Sequence, residues 1–285
     1  MKYASLLIHI DQAIYRNALV DVALKLTATF DAHLTALHVF IPIYYAYAGY
    51  AGLETWNGVE ALLREEEDSA RQHDISFKAQ FELQARQFEA LKTEWRYETG
   101  ELPGTLAQHA RYADMLIMGQ HNPDAALAFG ACDTPAEIAL TAGRPVLVVP
   151  YAGRFDVVGR RVVVAWNATR EATRAATAAL PLLMRAESVD VIVVGEDKQF
   201  GDSYGEGPGS DIGLYLARHG VKSSVVRIPR GERHVSEVLL SIIADRGADL
   251  LCMGAYGHSR LRELILGGVT HGLMRHMTAP TLIAC

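Results

Sequence analysis

At 285 residues the chain is long for one small domain and suits two of about 140 residues each. Half of its residues are hydrophobic and only 21% are charged, which excludes a disordered chain. A formal charge of −6 supplies no basic footprint for DNA or RNA.

The first stretch, "MKYASLLIHID", carries one Lys and an apolar run too short for a secretory signal. No later stretch approaches the roughly 20 uncharged apolar residues of a transmembrane helix. These features predict a soluble, cytoplasmic protein with neither a membrane nor a nucleic-acid partner. Cys132, Cys252 and Cys285 are odd in number and far apart, so no disulfide framework or CxxC knuckle is present.

In chain order, "SLLIHIDQAIYRNALVDVALKLTATFDAHLTALHVF" reads as strand, amphipathic helix, strand. Ile14, Ala18, Leu19, Val22, Ala23, Leu26 and Phe30 recur at helical spacing. A longer middle follows, from about 42 to 95, with a Tyr/Gly-rich run and then the acidic, helix-like "VEALLREEEDSARQHD". "YADMLIMGQ" and "GRPVLVVP" supply the last two strands of this half, and 153–161 reads as a short linker.

From Arg161 the plan repeats. "RVVVAWNATREATRAATAALPLLMRAESVDVIVVGE" matches the first segment, with Ala172, Ala175, Ala176, Ala179, Leu183 and Met184 on the predicted inner face. Pro181 is expected to kink this helix or end its regular part early. Strands are predicted near 161–166, 189–194, 222–228, 249–253 and 280–284. Gly119 to Pro145 and Gly254 to Pro280 share one spacing, so the repeat is a duplicated domain. Continuous apolar strands alternating with helices predict an α/β fold, each half a parallel five-stranded sheet with helices on both faces.

In such sheets ligands sit beyond the carboxyl ends of strands, where strand order reverses. The second half offers Ala165, Trp166 and Asn167 there, then Val193 and Val194, then Met253 and Gly254. "MGAYGHSRLRELILGGVTHG", residues 253–272, adds Gly257, Gly267, Gly268, Val269 and Thr270 before a helix. Glycines permit close backbone approach, and a helix amino end favours an anion. The competing reading is two ordinary glycine turns.

"MGAYGHSRLRELILGGVTHGLMRHMTAPTLIA" resembles the signature of the universal stress protein family, G-x-x-G-x9-G-(S/T), followed by a helix and a final strand. "VVVAWNATREATRAATAAL" resembles that family's first strand and helix, and the resemblance covers both halves. It implies a tandem, UspA-like protein with domains at 1–152 and 157–285. The implied fold is flavodoxin-like or adenine-nucleotide α-hydrolase-like. It also implies ATP or a related adenine nucleotide, with magnesium as an accompanying ion, in the second domain. Gly254, Gly257, Gly267, Gly268, Val269 and Thr270 would then hold phosphates and ribose, while Val193 or Val194 and Met253 would line the base. His258 is a further candidate phosphate contact. The final strands of the two halves are the implied seam of an intramolecular pseudo-dimer, with a homodimer as a further assembly.

The second half departs from the family pattern at Gly268, where Ser or Thr is usual, and at Asn167, where an acid is usual. The first half departs further. Asn122, Cys132, Asp133 and Pro135 stand where the second half has Gly257, Gly267, Gly268 and Thr270. An Asp there repels an anion and Pro135 lacks an N–H, so nucleotide is expected only in the second half. His9, Asp11 and His121 fall near strand ends of the first half, but no close spacing supports zinc.

No catalytic residues are assigned. Ser210 and Ser259 lack the G-x-S-x-G elbow, and no base is paired with a nucleophile near the loop. His271 and His276 read as solvent-facing or capping residues, Cys252 as core, and 201–210 as a loop. Three readings stay open: a nucleotide-sensing or protective stress module, a nucleotide-free interaction protein, and a weak ATPase.

Overall fold

The computed structural model describes residues 2–11, 17–42, 59–120, 135–195, 209–255 and 268–285. Along the first half run β1 (Ser5–Ile10), α1 (Asn17–Phe30), β2 (His33–Phe40), α2 (Val59–Ala85), β3 (Lys92–Thr99), α3 (Leu102–Ala110), β4 (Met115–Gly119), α4 (Pro135–Ala142) and β5 (Val146–Val149). The second half repeats them as β6 (Arg161–Ala165), α5 (Arg170–Leu183), β7 (Ser188–Gly195), α6 (Ser210–Arg218), β8 (Ser223–Pro229), α7 (Val235–Arg246), β9 (Leu250–Gly254), α8 (Gly268–His276) and β10 (Thr281–Ala284).

Among the described residues ten strands form one sheet in the order β3-β2-β1-β4-β5-β10-β9-β6-β7-β8. Within each half every neighbouring pair is parallel, and only β5 and β10 run antiparallel, with Leu147 opposite Leu282. Each half is thus a doubly wound α/β unit in which order reverses between its first and fourth strands. In the second half those strands are β6 and β9, in register at Ala165 and Met253.

The helices divide between the two faces. One core gathers side chains of α1, α2, α5 and α6, and the other those of α3, α4, α7 and α8. The periodic α1 residues Leu19, Val22, Ala23, Leu26 and Phe30 are buried, while Ile14 lies outside the described residues. In α5 the alanines and Leu183 are buried, but Met184 is not core. It lies just past the helix end and is 47% exposed. Pro181 lies in the last turn of the helix. The helix ends at Leu183, two residues beyond it.

The acidic helix-like stretch of the first half is the 27-residue α2. Its charged face is exposed, and Phe81 is its deepest apolar contact with the sheet. Asp74 fastens it, accepting from Trp95 Nε1 at 3.0 Å and meeting His38 Nδ1 at 2.9 Å.

The repeat extends to polar detail. Asp114 accepts the backbone N–H groups of Ala4 and Ser5 at 2.7 and 3.0 Å. Asp249 does the same for Gly159, Arg160 and Arg161 at 2.8, 2.9 and 3.2 Å. Each carboxylate therefore fixes the start of the first strand of its half against the fourth. Asp249→Ala leaves three N–H donors without that acceptor and is expected to cost at least about 2 kcal/mol in urea unfolding. Asp249→Asn is expected to cost less, since it keeps an oxygen acceptor.

Candidate functional site

Strand order reverses between β6 and β9, and in sheets of this kind ligands bind beyond the carboxyl ends of the strands at that point. Met253 belongs to the apolar core on the α7–α8 side of the sheet, and Ala165, Val194 and Val269 are partly buried against that core. Strand alternation sends Val193 to the other face, where it is 2% exposed and packs beside Gly209. Trp166 also joins that other core, its N–H bonded to the Ile192 carbonyl. The candidate residues therefore fall on two sides of the sheet.

Asn167 is exposed at the turn into α5. Its Oδ1 accepts Thr169 N at 3.3 Å and Thr169 Oγ1 at 2.8 Å. Thr169 in turn caps the helix by accepting from Ala172 N. Between them Ala168 adopts a left-handed backbone, φ +57°. The amide that stands in place of the family's acid is thus engaged in shaping this turn.

Gly254 closes β9 against α5. A Cβ placed there would lie 2.5 Å from Ala172 N and 2.6 Å from the Glu171 carbonyl carbon. The glycine is required by the neighbouring helix, independently of any ligand. Gly268 is the opposite case: it is exposed, opens α8, and a Cβ there meets nothing within 4 Å among the described residues. Thr270, two residues on, is buried. Gly257, His258 and Gly267 lie outside the described residues.

Glu171 is a buried acid that the sequence pattern gave no reason to single out. It pairs with Arg170. Burial works against its charge, but hydrogen bonding from Arg170 prevails and holds the carboxyl below the usual range. Its folded pKa is below the unfolded one, so this contribution is complete above the ordinary carboxylate range and is lost on acidification.

In the first half, His9 is buried and its imidazole is held below its ordinary pKa by desolvation, with Asp11 opposing. Asp11 is half-buried, while His121, Asn122, Cys132 and Asp133 lie outside the described residues. Pro135 opens α4. Gln120, directly after β4, is 3% exposed and crosses the seam, its Nε2 donating to the Met274 carbonyl at 2.7 Å. Cys252 is fully buried, whereas His271 and His276 are exposed. A cleft of ≈ 510 Å³, lined in part by Asp21, Phe88, Arg154 and Phe155, contains none of the candidate residues. Among the described residues no helix is long and apolar enough to cross a membrane, and no three potential metal ligands cluster.

Strand order and helix placement define a doubly wound α/β unit built twice in one chain. The family model described as the universal stress protein family matches residues 2–150 and again 159–284. The chain belongs to that family, with its domain present in tandem. Universal stress protein Slr1230 of Synechocystis is 41% identical over 49 residues, 17% of this chain and 17% of its own length. Universal stress protein MJ0577 of Methanocaldococcus jannaschii is 34% identical over 59 residues, 21% of this chain and 33% of its own. These matches span a third or less of either relative.

Among solved structures, a universal stress protein from Archaeoglobus fulgidus superposes with a TM-score of 0.68 at 15% identity, covering 98% of this chain and 95% of its own. A functionally unknown protein, PA1789 of Pseudomonas aeruginosa, gives 0.56 at 13% identity, covering 99% and 92%. At these identities the likeness is one of fold.

Two outcomes follow from the geometry of α5. Gly254→Ala is expected to lose about 1–3 kcal/mol in chemical denaturation, because backbone atoms must move to admit the methyl group. Glu171→Gln is expected to make unfolding free energy fall less steeply between about pH 5 and pH 3 than in the parent.

Proposed function

We propose that this universal stress protein binds an adenine nucleotide of the ATP type in its second half and serves as a nucleotide-sensing or protective module. The observation that carries the reading is the reversal of strand order between β6 and β9, with α8 following β9 in the chain and opening at Gly268. Among the described residues nothing lies within 4 Å of a Cβ placed at Gly268, the first residue of α8. The N–H groups of that first turn and the helix dipole suit a phosphate. Ala165, Val194 and Val269, partly buried on the same face as Met253, suit the less polar part of the same ligand. Gly257, His258 and Gly267 complete the loop in sequence, and magnesium would accompany the phosphates.

No catalytic role is assigned, and ATP hydrolysis at more than a weak rate is not part of this reading. The first half, 1–152, acts as the structural partner of 157–285 in an intramolecular pseudo-dimer. A second reading rests on the β5–β10 pairing, which joins the halves without a ligand. On that reading the molecule is a nucleotide-free interaction protein.

Calorimetric titration with Mg-ATP separates the two. Gly268→Asp places at the α8 amino end the residue type that the first half has at the matching position, Asp133. An acid in the first turn favours the helix by about 0.3–1 kcal/mol, so the variant is expected to fold. Its carboxylate opposes a phosphate, so binding heat present in the parent is expected to disappear. No heat with the parent, or equal affinity in both proteins, overturns the reading.

A further inference from the structure

The two halves end their fourth helices differently. In α4 the carbonyl of Ala139 accepts Gly143 N at 3.1 Å, and Gly143 has φ +64°. This is the left-handed glycine cap that satisfies a carbonyl of the last turn. Counting back from Pro145 and Pro280, the matching residues in the second half are Met274 and Thr278. Thr278 is exposed and is not among the residues with positive φ. A β-branched side chain disfavours that conformation, so α8 lacks the cap its counterpart has.

The Met274 carbonyl belongs to the last turn of α8, whose carbonyls have no donor within the helix. It receives Gln120 Nε2 at 2.7 Å, from 154 residues away in the first half. Gln120 is held for this task from two other directions. Its N–H donates to the Val149 carbonyl at 2.8 Å, and its Oε1 accepts Tyr151 N at 3.1 Å. The matching residue of the second half, Ala255, repeats the strand-end bond, donating to Ala284 O at 2.9 Å, but carries no amide to return across the seam. The device is one-sided: glycine caps α4 from within, and the first half caps α8.

We propose that Gln120 is a positioning residue for the nucleotide site of the second half. By capping the carboxyl end of α8 from across the seam, it fixes the helix whose amino end would meet the phosphates. The proposal rests on the nucleotide reading for its effect on affinity, whereas the capping itself is independent of it. The first half, poorly suited in sequence to a nucleotide, thereby acquires a defined task in the second.

Full-length Gln120→Met keeps an unbranched side chain of similar length but offers no donor. Thr278→Gly gives α8 the residue that caps α4. Amide hydrogen exchange over 270–277 is expected to be about fivefold faster in Gln120→Met, the effect of losing one hydrogen bond, and to return toward the parent rate in Gln120→Met/Thr278→Gly. Mg-ATP affinity is expected to weaken by a similar factor and to recover in the double variant. Unchanged exchange in Gln120→Met overturns the proposal. If that variant does not fold, the double variant is expected to fold, and its failure also overturns it. Faster exchange with unchanged Mg-ATP affinity removes the link to the site. If the parent binds no nucleotide, the nucleotide reading falls and the link to the site falls with it, while the exchange rates still decide whether Gln120 caps α8.

Discussion

The antiparallel pairing of β5 with β10 is the constraint on which the rest of the molecule depends. Three residue pairs, Val146–Ile283, Leu147–Leu282 and Val148–Thr281, turn two five-stranded sheets into one of ten strands. All six residues are buried, and each large aliphatic side chain removed from water contributes roughly 2 kcal/mol. A strand buried on both faces must also pair along its edges, since unpaired N–H and C=O groups inside a core are costly. The seam meets that demand for the last strand of each half at once. It also brings the carboxyl end of β4 near α8, so that Gln120 reaches Met274.

The two halves share what any such sheet needs and differ where one partner can serve the other. Asp114 and Asp249 fix the starts of β1 and β6 in the same way, because each first strand must be held against its fourth. Gly143 and Thr278, and Gln120 and Ala255, differ in a complementary manner. A glycine cap sits in the half with the Gln, and the half without that glycine receives the Gln amide. Two separate copies of one domain would each have to end this helix by their own means. Fusion in one chain lets the residues diverge as a set.

Much of the architecture was legible in the sequence because a parallel strand covered on both faces must be continuously apolar. Strands predicted near 189–194 and 249–253 correspond to β7 at 188–195 and β9 at 250–254. Helical spacing likewise identified the inner face of α5, apart from Met184, which the helix end releases to solvent. Less of the candidate site was legible. Glycine spacing did not reveal what each glycine accommodates. Gly254 makes room for the backbone of α5, whereas a Cβ at Gly268 would meet no described residue within 4 Å. A run such as Val193-Val194 identifies a buried strand without identifying which residue faces which side of the sheet. Glu171 and Gln120 carried no local signal, since the burial of one and the bond of the other depend on distant chain.

Capping at one end of α8 and anion binding at the other bear on the same short helix. Nine residues span about 14 Å, little more than two turns, too short to be stable in water without tertiary support. Support at either end therefore raises the population of the complete helix and with it the number of aligned N–H groups at the amino end. On the proposed reading the two effects are linked and the linkage is reciprocal: whatever Gln120 adds to nucleotide affinity, bound nucleotide adds to the strength of the Gln120 cap. That bond joins the halves, so a nucleotide held only by the second half would tighten the seam between both. The first half would then sense the ligand without a site of its own.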